Sequence, residues 1–183
     1  MKARKSWAMA YCGMAAALSV ALMLLGAILP LAMFIAPAVA GFLILTVCVE
    51  CGRKMAFTAY AAVSLLGLLF VPDKEVALIF AVLLGYYPLV KSAFERIRPA
   101  FLRVGCKLLL CNAAVLAMYS LLYLLFPAGE AAQELKNTVL WLTLLTLALG
   151  NAAFLLYDRA LHNLLQLYQL VWRPRLHKML GWH

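Results

Sequence analysis

The chain has 183 residues, of which 67% are hydrophobic and 13% are charged, and its formal net charge is +9. So few charged side chains cannot cover the surface of a water-soluble globule of this size, which excludes an ordinary soluble protein. Long runs rich in Leu and Ala, without segments of about ten residues that alternate in polarity, exclude a transmembrane barrel. The sequence therefore predicts an all-α integral membrane protein with a six-span transmembrane helical bundle.

The predicted spans follow from the apolar stretches between charged residues, because a span needs about 20 apolar residues. Gly26 and Pro30 mark the predicted turn between the first two spans, since both residue types interrupt a helix. The fourth span is short unless Lys91 extends its ammonium to the interface. The six spans are 7–26, 31–49, 55–71, 76–94, 104–126 and 137–157.

The positions of Lys and Arg predict that both ends of the chain lie in the cytoplasm. With six spans, 14 of the 16 basic residues fall inside, and only Lys74 and Lys136 fall outside. Omitting the fourth span leaves 6 inside and 10 outside, which contradicts the positive-inside rule. The basic residues also favour binding to anionic lipids over binding to nucleic acid. We therefore expect a multi-pass protein of the cell membrane.

Residues 159–183, the tail, follow the predicted bundle of residues 1–158. The apolar residues of the tail have helical spacing and share one face, which is typical of an amphipathic helix. They are Leu161, Leu164, Leu165, Tyr168 and Trp172. The sequence predicts a cytoplasmic helix that lies along the inner interface until Pro174 interrupts it.

Catalytic and metal-binding patterns are sparse, so we expect no enzymatic activity, no cofactor and no metal. No carboxylate lies deep in a span, since Asp158 closes the sixth, and the chain has no HExxH or glycine-rich phosphate loop. Cys48 and Cys51 form a C-x-x-C motif around Glu50, but no second cysteine pair or histidine beside them completes a zinc site. A small membrane enzyme or a metal or redox protein using these three residues stays an alternative, as does a membrane scaffold.

Small residues recur at every fourth position on two spans, and such stripes let helix backbones approach closely. The first-span stripe, with one neighbouring residue, is Ala10, Gly13, Ala17 and Ala21, and the second-span stripe is Ala32, Ala36 and Ala40. Each stripe fits packing inside the bundle or docking onto another membrane protein. Asn112 and Asn151 lie in the inner halves of spans five and six, where a hydrogen bond between them is expected to join the helices, with a functional site as the alternative.

Polar and aromatic residues gather at the predicted outer ends of spans three to six. Aromatic walls with a few converging polar groups are typical of a small-molecule pocket. Tyr and Trp at this depth also form the interfacial aromatic belt, which is the alternative. The candidate substrate-binding residues are Asp73, Lys74, Glu75, Tyr119, Tyr123, Asn137 and Trp141.

A resemblance to a known family rests on the first span. After a basic start, the sequence reads Met9-Ala10-Tyr11-Cys12-Gly13-Met14-Ala15-Ala16-Ala17-Leu18-Ser19-Val20. This segment resembles the opening of the substrate-binding membrane subunits, or S components, of energy-coupling factor transporters, which have similar length, six spans and small residues spaced by four on the first helix.

The resemblance implies that the chain captures a vitamin or similar scarce nutrient from outside and has no ATPase activity of its own. Delivery would proceed through a transmembrane coupling subunit driven by two cytoplasmic ATPases. The partner interface would then be the stripe of Ala10, Gly13, Ala17 and Ala21 on the first span. The sequence shows no vitamin-specific signature, and it lacks the N-terminal His typical of the nickel and cobalt members.

Overall fold

The computed structural model describes residues 2–29, 32–94, 99–125 and 140–174. Every regular element in these ranges is helical, which confirms the predicted all-α class. Three helices are long and apolar enough to cross a membrane, which indicates a membrane protein. They are α1 (Lys2–Ile28), α3 (Arg53–Phe70) and α6 (Ala100–Leu125).

The second and fourth predicted spans are less regular than the sequence suggested. α2 (Ile35–Cys51) is apolar but has only 17 residues. In the fourth region, α4 (Lys74–Leu78) leads into a π-helical segment, Ile79–Leu84, and α5 (Tyr87–Phe94) follows after a turn. Each of the six predicted spans has a helical counterpart in the described residues. Whether all six cross a membrane stays a prediction.

The last helix, α7 (Leu140–Leu167), runs without a break through Asp158 and leads into a π-helical segment, Tyr168–Trp172. The predicted helix of the tail is therefore the end of α7, which also contains the sixth predicted span, rather than a separate element. Its predicted apolar face is only partly packed against the bundle, because Leu161 and Tyr168 are buried while Leu164 is exposed. The location of this segment at the membrane interface stays a prediction.

The connection between α2 and α3 is the single residue Gly52, whose φ of 88° lies in the left-handed region. Glycine adopts this conformation without the steric cost that a Cβ would add. The sharp turn brings α2 and α3 together, and both pack against α1. Their shared core contains Met23 of α1, Ile44 of α2 and Val63 of α3.

The chain leaves α1 after Ile28 and enters α2 at Ile35, so a break between the first two spans is present, but Gly26 lies inside α1 rather than in the turn, and Pro30 lies outside the described residues. A Cβ at Gly26 would come within 2.5 Å of the Ala36 Cβ and 3.2 Å of the Ala32 carbonyl oxygen. Gly26 instead permits close approach of α1 and α2. Ala36 and Ala40 of the second-span stripe are both buried, which shows that this stripe packs inside the bundle.

A second core joins α2 to the C-terminal helices. Buried side chains from four helices meet there, namely Leu45, Tyr87, Cys111, Phe154 and Leu161. A third cluster packs the fourth region against α6, through Leu78 and Ile79 on one side and Met118 and Leu122 on the other. α2 therefore contacts both halves of the molecule, whereas α1 packs mainly on α2 and α3.

Candidate functional site

One face of α1 carries the first-span stripe, and the described residues of the chain leave this face uncovered. Ala10, Gly13, Ala17 and Ala21 are all exposed. A Cβ at Gly13 would meet nothing within 4 Å. The opposite face holds Ser19, which is fully buried and donates a hydrogen bond to the Ala15 carbonyl at 2.7 Å. α1 is thus attached to the bundle by one face and presents the stripe on the other.

Large apolar side chains flank the stripe and are also exposed. They include Met9, Met14, Leu18 and Leu25. In lipid such exposure carries no hydrophobic cost, because the lipid tails are as apolar as these side chains. Small side chains at such positions allow another helix backbone to approach closely. The face is therefore apolar, carries small residues along its length and is not covered by the described part of the chain.

Two of the candidate substrate residues have capping roles at the turn between α3 and α4. The Asp73 carboxylate accepts a hydrogen bond from the Glu75 backbone N–H at 2.9 Å. The Lys74 ammonium donates to the carbonyl oxygens of Leu68 at 3.0 Å and Val71 at 2.8 Å. Asp73 thus caps the start of α4, and Lys74 caps the end of α3.

The aromatic candidates are placed only in part. Tyr119 and Trp141 are exposed, Trp141 by 68%. The side chain of Tyr123 and all of Asn137 lie outside the described residues. A shared pocket for these residues stays a prediction, and the exposure of Trp141 also fits the interfacial belt.

A buried ion cluster joins α5, α6 and α7, and the sequence did not predict it. Asp158 Oδ1 accepts from Lys91 Nζ at 2.7 Å and from the Tyr87 hydroxyl at 2.6 Å, while Oδ2 accepts from Lys107 Nζ at 2.6 Å. Lys91 Nζ also donates to the Asp158 carbonyl oxygen at 2.6 Å. We call these four residues the Asp158 cluster. Lys91 is only 5% exposed, so its ammonium is buried and paired within the protein, and its position relative to the membrane interface stays a prediction.

The Asp158 cluster holds a charged carboxylate directly after the predicted sixth span. Burial raises the pKa of Asp158, but hydrogen bonds from Lys107, Lys91 and Tyr87 outweigh burial and hold this pKa at about 2. Asp158 is therefore ionised at neutral pH and ties three helices together. The sequence contained the signal, because one carboxylate and two lysines lie near the inner ends of three neighbouring predicted spans.

Glu50, at the end of α2, fixes the end of the last helix to the bundle. Its Oε1 lies 3.3 Å from Arg173 Nε and 3.4 Å from the Tyr168 hydroxyl. The Tyr168 hydroxyl is in turn 3.4 Å from the Tyr11 hydroxyl of α1. The Glu50 side chain is buried by these contacts. They give Glu50 a structural role at the junction of α1, α2 and the tail.

The cysteines near Glu50 are not arranged for thiolate chemistry. Cys51 Sγ faces the Ala8 carbonyl oxygen at 3.7 Å. Cys51 lies between the second and third predicted spans, where burial raises the pKa of its thiol to about 12, with smaller contributions from Cys12 and Glu50. The thiol is thus protonated at neutral pH, unlike the low-pKa thiols of reactive cysteines. In the described parts of the chain, no three His, Cys, Asp or Glu side chains cluster as metal ligands would.

The predicted hydrogen bond between Asn112 and Asn151 is wrong. The side-chain oxygen of each residue is buried and accepts no hydrogen bond from any residue that the structure describes. A similar position along two neighbouring helices does not fix the direction in which each side chain points. Each amide instead buries its carbonyl oxygen in the bundle. A buried oxygen that no donor reaches lowers the stability of the folded protein by about 1 to 3 kcal/mol.

An apolar cleft of about 410 Å³ opens between the end of α5 and the first half of α6. Its lining residues are Phe94, Phe101, Leu102, Gly105, Cys106, Leu109, Leu110 and Ala113. This volume lies within the range of small-molecule and cofactor sites. The cleft uses none of the seven candidate substrate residues.

Comparisons with protein-family models, with curated proteins and with solved structures gave no significant match. Function is therefore inferred from the exposed face of α1, the polar clusters and the cleft.

Proposed function

We propose that the chain is the substrate-capturing membrane subunit of an ATP-driven importer of a vitamin-like nutrient. In this proposal all six helical regions cross the cell membrane, both ends lie in the cytoplasm, and the chain hydrolyses no ATP. Its partners are a transmembrane coupling subunit and cytoplasmic ATPases. Support comes from the apolar helices, the distribution of basic residues and the resemblance of residues 9–20 to S components.

The observation that carries the proposal is the exposed stripe on α1. Interior packing is the competing explanation for a stripe of small residues, and it accounts for Ala36 and Ala40 on α2, which are buried. It does not account for Gly13 and Ala17, which α1 presents away from the described bundle. A partner helix explains why these outward positions are small, because only close van der Waals packing favours helix association in lipid.

The proposed substrate site lies at the outer ends of the helices. In this proposal Asp73 and Lys74, which cap neighbouring helix ends, would form part of the frame of such a site. The direct contacts with substrate would then come from the aromatic and amide candidates, namely Tyr119, Tyr123, Asn137 and Trp141.

The enzyme alternative receives less support from the inner polar residues. Glu50 is engaged by Arg173 and Tyr168, and the Cys51 thiol is protonated at neutral pH. A nucleophilic or metal-binding role would need a free carboxylate or a thiolate at these positions. Their geometry serves the attachment of the tail.

The test uses Ala17→Leu on the stripe and Ala62→Leu as a matched control, because Ala62 is an exposed alanine near the middle of α3. Each tagged protein is purified from its native membrane, and copurifying ATPase activity and melting temperature are both measured. We expect ATPase activity with the wild type and with Ala62→Leu. Ala17→Leu should lose the ATPase and keep its melting temperature, because a bulky side chain separates the docked helices.

Two outcomes contradict the proposal. If Ala17→Leu lowers the melting temperature but retains the ATPase, the stripe packs against the chain itself. If the wild type brings down another membrane protein and no ATPase, the docking face belongs to a scaffold.

A further inference from the structure

The cleft between α5 and α6 is long and shallow. Its lining residues on α6 extend from Phe101 to Ala113, and a rise of 1.5 Å per residue makes this stretch about 18 Å long. The hydrocarbon core of a bilayer is about 30 Å thick, so the cleft spans about the depth of one leaflet. The apolar stretch, formed by α6 with Phe94 of α5 at one end, is therefore about as long as the part of a lipid acyl chain that lies in one leaflet.

A basic residue lies at one end of the cleft. Arg103 is half-buried on α6, one residue after Leu102 of the cleft wall. At about 100° per residue, Arg103 lies about 40° from Lys107 around the helix and about 60° from Cys106 of the cleft. Arg103 therefore occupies the strip of α6 between the apolar cleft and the Asp158 cluster.

Lys107 has hydrogen-bonding capacity left beside this strip. Its ammonium has three N–H donors, and within the described residues its one acceptor is Asp158 Oδ2, at 2.6 Å. Its side chain is 6% exposed, so water has little access to the remaining donors. Buried donors without acceptors are unfavourable, and an anionic oxygen bound at this place would relieve that cost.

We infer that the cleft binds one acidic phospholipid of the inner leaflet. The acyl chain lies along α6 past Gly105 and Ala113, and the phosphate binds Arg103 and approaches Lys107. The first turn of α6 lies on the cytoplasmic side in the proposed topology, which places Arg103 at headgroup depth. The inference rests on the membrane placement in the proposed function and is independent of the docking stripe on α1. An acidic headgroup is preferred because a zwitterionic lipid carries its own cation beside the phosphate.

The test of the acyl-chain site compares two glycines. A Cβ at Gly105 or at Gly150 meets nothing within 4 Å, but only Gly105 lines the cleft. Full-length protein in detergent is mixed with phosphatidylglycerol or phosphatidylcholine, and retained lipids are counted by native mass spectrometry. We expect the wild type to retain one phosphatidylglycerol about tenfold more strongly than phosphatidylcholine. Gly105→Trp should weaken that retention at least tenfold, and Gly150→Trp should change it less than twofold.

Unchanged retention in Gly105→Trp overturns the acyl-chain site. If that variant melts at a lower temperature than Gly150→Trp, Ala113→Trp replaces it, because Ala113 lies at the other end of the cleft. Ala113→Trp should then weaken the retention of phosphatidylglycerol at least tenfold.

The headgroup contact is tested with Arg103→Gln and with inorganic phosphate as competitor. We expect Arg103→Gln to reduce the preference for phosphatidylglycerol over phosphatidylcholine about tenfold, as expected for the loss of a charge-assisted hydrogen bond. Millimolar inorganic phosphate should leave the lipid bound. A preference unchanged in Arg103→Gln overturns the headgroup placement, and displacement by phosphate shows a site for free anions instead. Retained lipid without copurifying ATPase contradicts the transport proposal and supports this inference. Copurifying ATPase without retained lipid supports the transport proposal and contradicts this inference.

Discussion

One region of the molecule exposes large apolar side chains, and another buries charged ones. On the outer face of α1, Met14 is 65% exposed and Leu18 is 52% exposed. At the junction of α5, α6 and α7, Lys91 and Lys107 are each 5% exposed and share the carboxylate of Asp158. In water both arrangements would be unfavourable. In lipid the first is neutral, and the second is the way in which charged groups are accommodated.

The comparison teaches that residue type alone does not say which surfaces of such a chain are free. The small-residue stripes of α1 and α2 have the same spacing, but the described residues cover the stripe of α2 and leave that of α1 exposed. Two substitutions and one pH titration test this distinction.

The largest effect is expected from Asp158→Ala. This change leaves two buried ammoniums without their shared carboxylate, and breaking a buried ion pair in this way is unfavourable by about 3 to 5 kcal/mol. Unfolding in neutral-lipid nanodiscs measures the loss. The control is Asp73→Ala, which removes a helix N-cap and should reduce stability by about 1 kcal/mol. Equal effects of the two changes would show that the Asp158 cluster is no more important than a cap.

A smaller effect is expected from Ala40→Leu. Ala40 is fully buried in the core of α1, α2 and α3. Leu adds three carbon atoms to this filled interior, which should lower the free energy of unfolding by about 1 to 3 kcal/mol. The matched change Ala17→Leu on the exposed stripe should alter stability of the isolated chain by less than about 0.5 kcal/mol. The same unfolding measurement serves both variants. Similar losses in the two would mean that the α1 stripe is covered by the chain itself.

The smallest effect is expected from acid. The pKa of Asp158 in the folded protein, about 2, lies below the ordinary value of 3.8, so the stability that it contributes is fully present above about pH 4. That contribution should disappear as the pH falls toward 2. The measurement is the difference in melting temperature between the wild type and Asp158→Asn from pH 6 to pH 2. A difference that stays constant over this range would contradict the low pKa.

The sequence predicted the helices well and their contacts poorly. Apolar length located the helical regions, since every described element is helical and lies near a predicted span. Gly26 was assigned to the turn rather than to α1 because glycine is common both in turns and where two helices pack closely. Asn112 and Asn151 were paired wrongly because depth along a helix does not give the direction of a side chain.

The polar contacts were missed for a related reason. Asp158 marks the end of a predicted span in the sequence, but its partners Lys91 and Lys107 come from two other helices. Only the packing of α5 and α6 brings these residues within 2.7 Å of the carboxylate. The N-cap at Asp73 was also missed, although Asp before a helical segment is a known start signal, because the three charged residues Asp73, Lys74 and Glu75 were interpreted as a binding site.

The attachment of the tail to the start of the chain bears on the order in which the protein folds during synthesis. Tyr11 and Tyr168 are 157 positions apart, so their contact can form only after nearly the whole chain has left the ribosome. The core of α1, α2 and α3 depends on much closer neighbours in sequence and can pack while translation continues. Until the last helix arrives, the Glu50 carboxylate at the end of α2 lacks Tyr168 and Arg173. The half-made protein is therefore a three-helix unit in which the Glu50 carboxylate still awaits its contacts with the last helix.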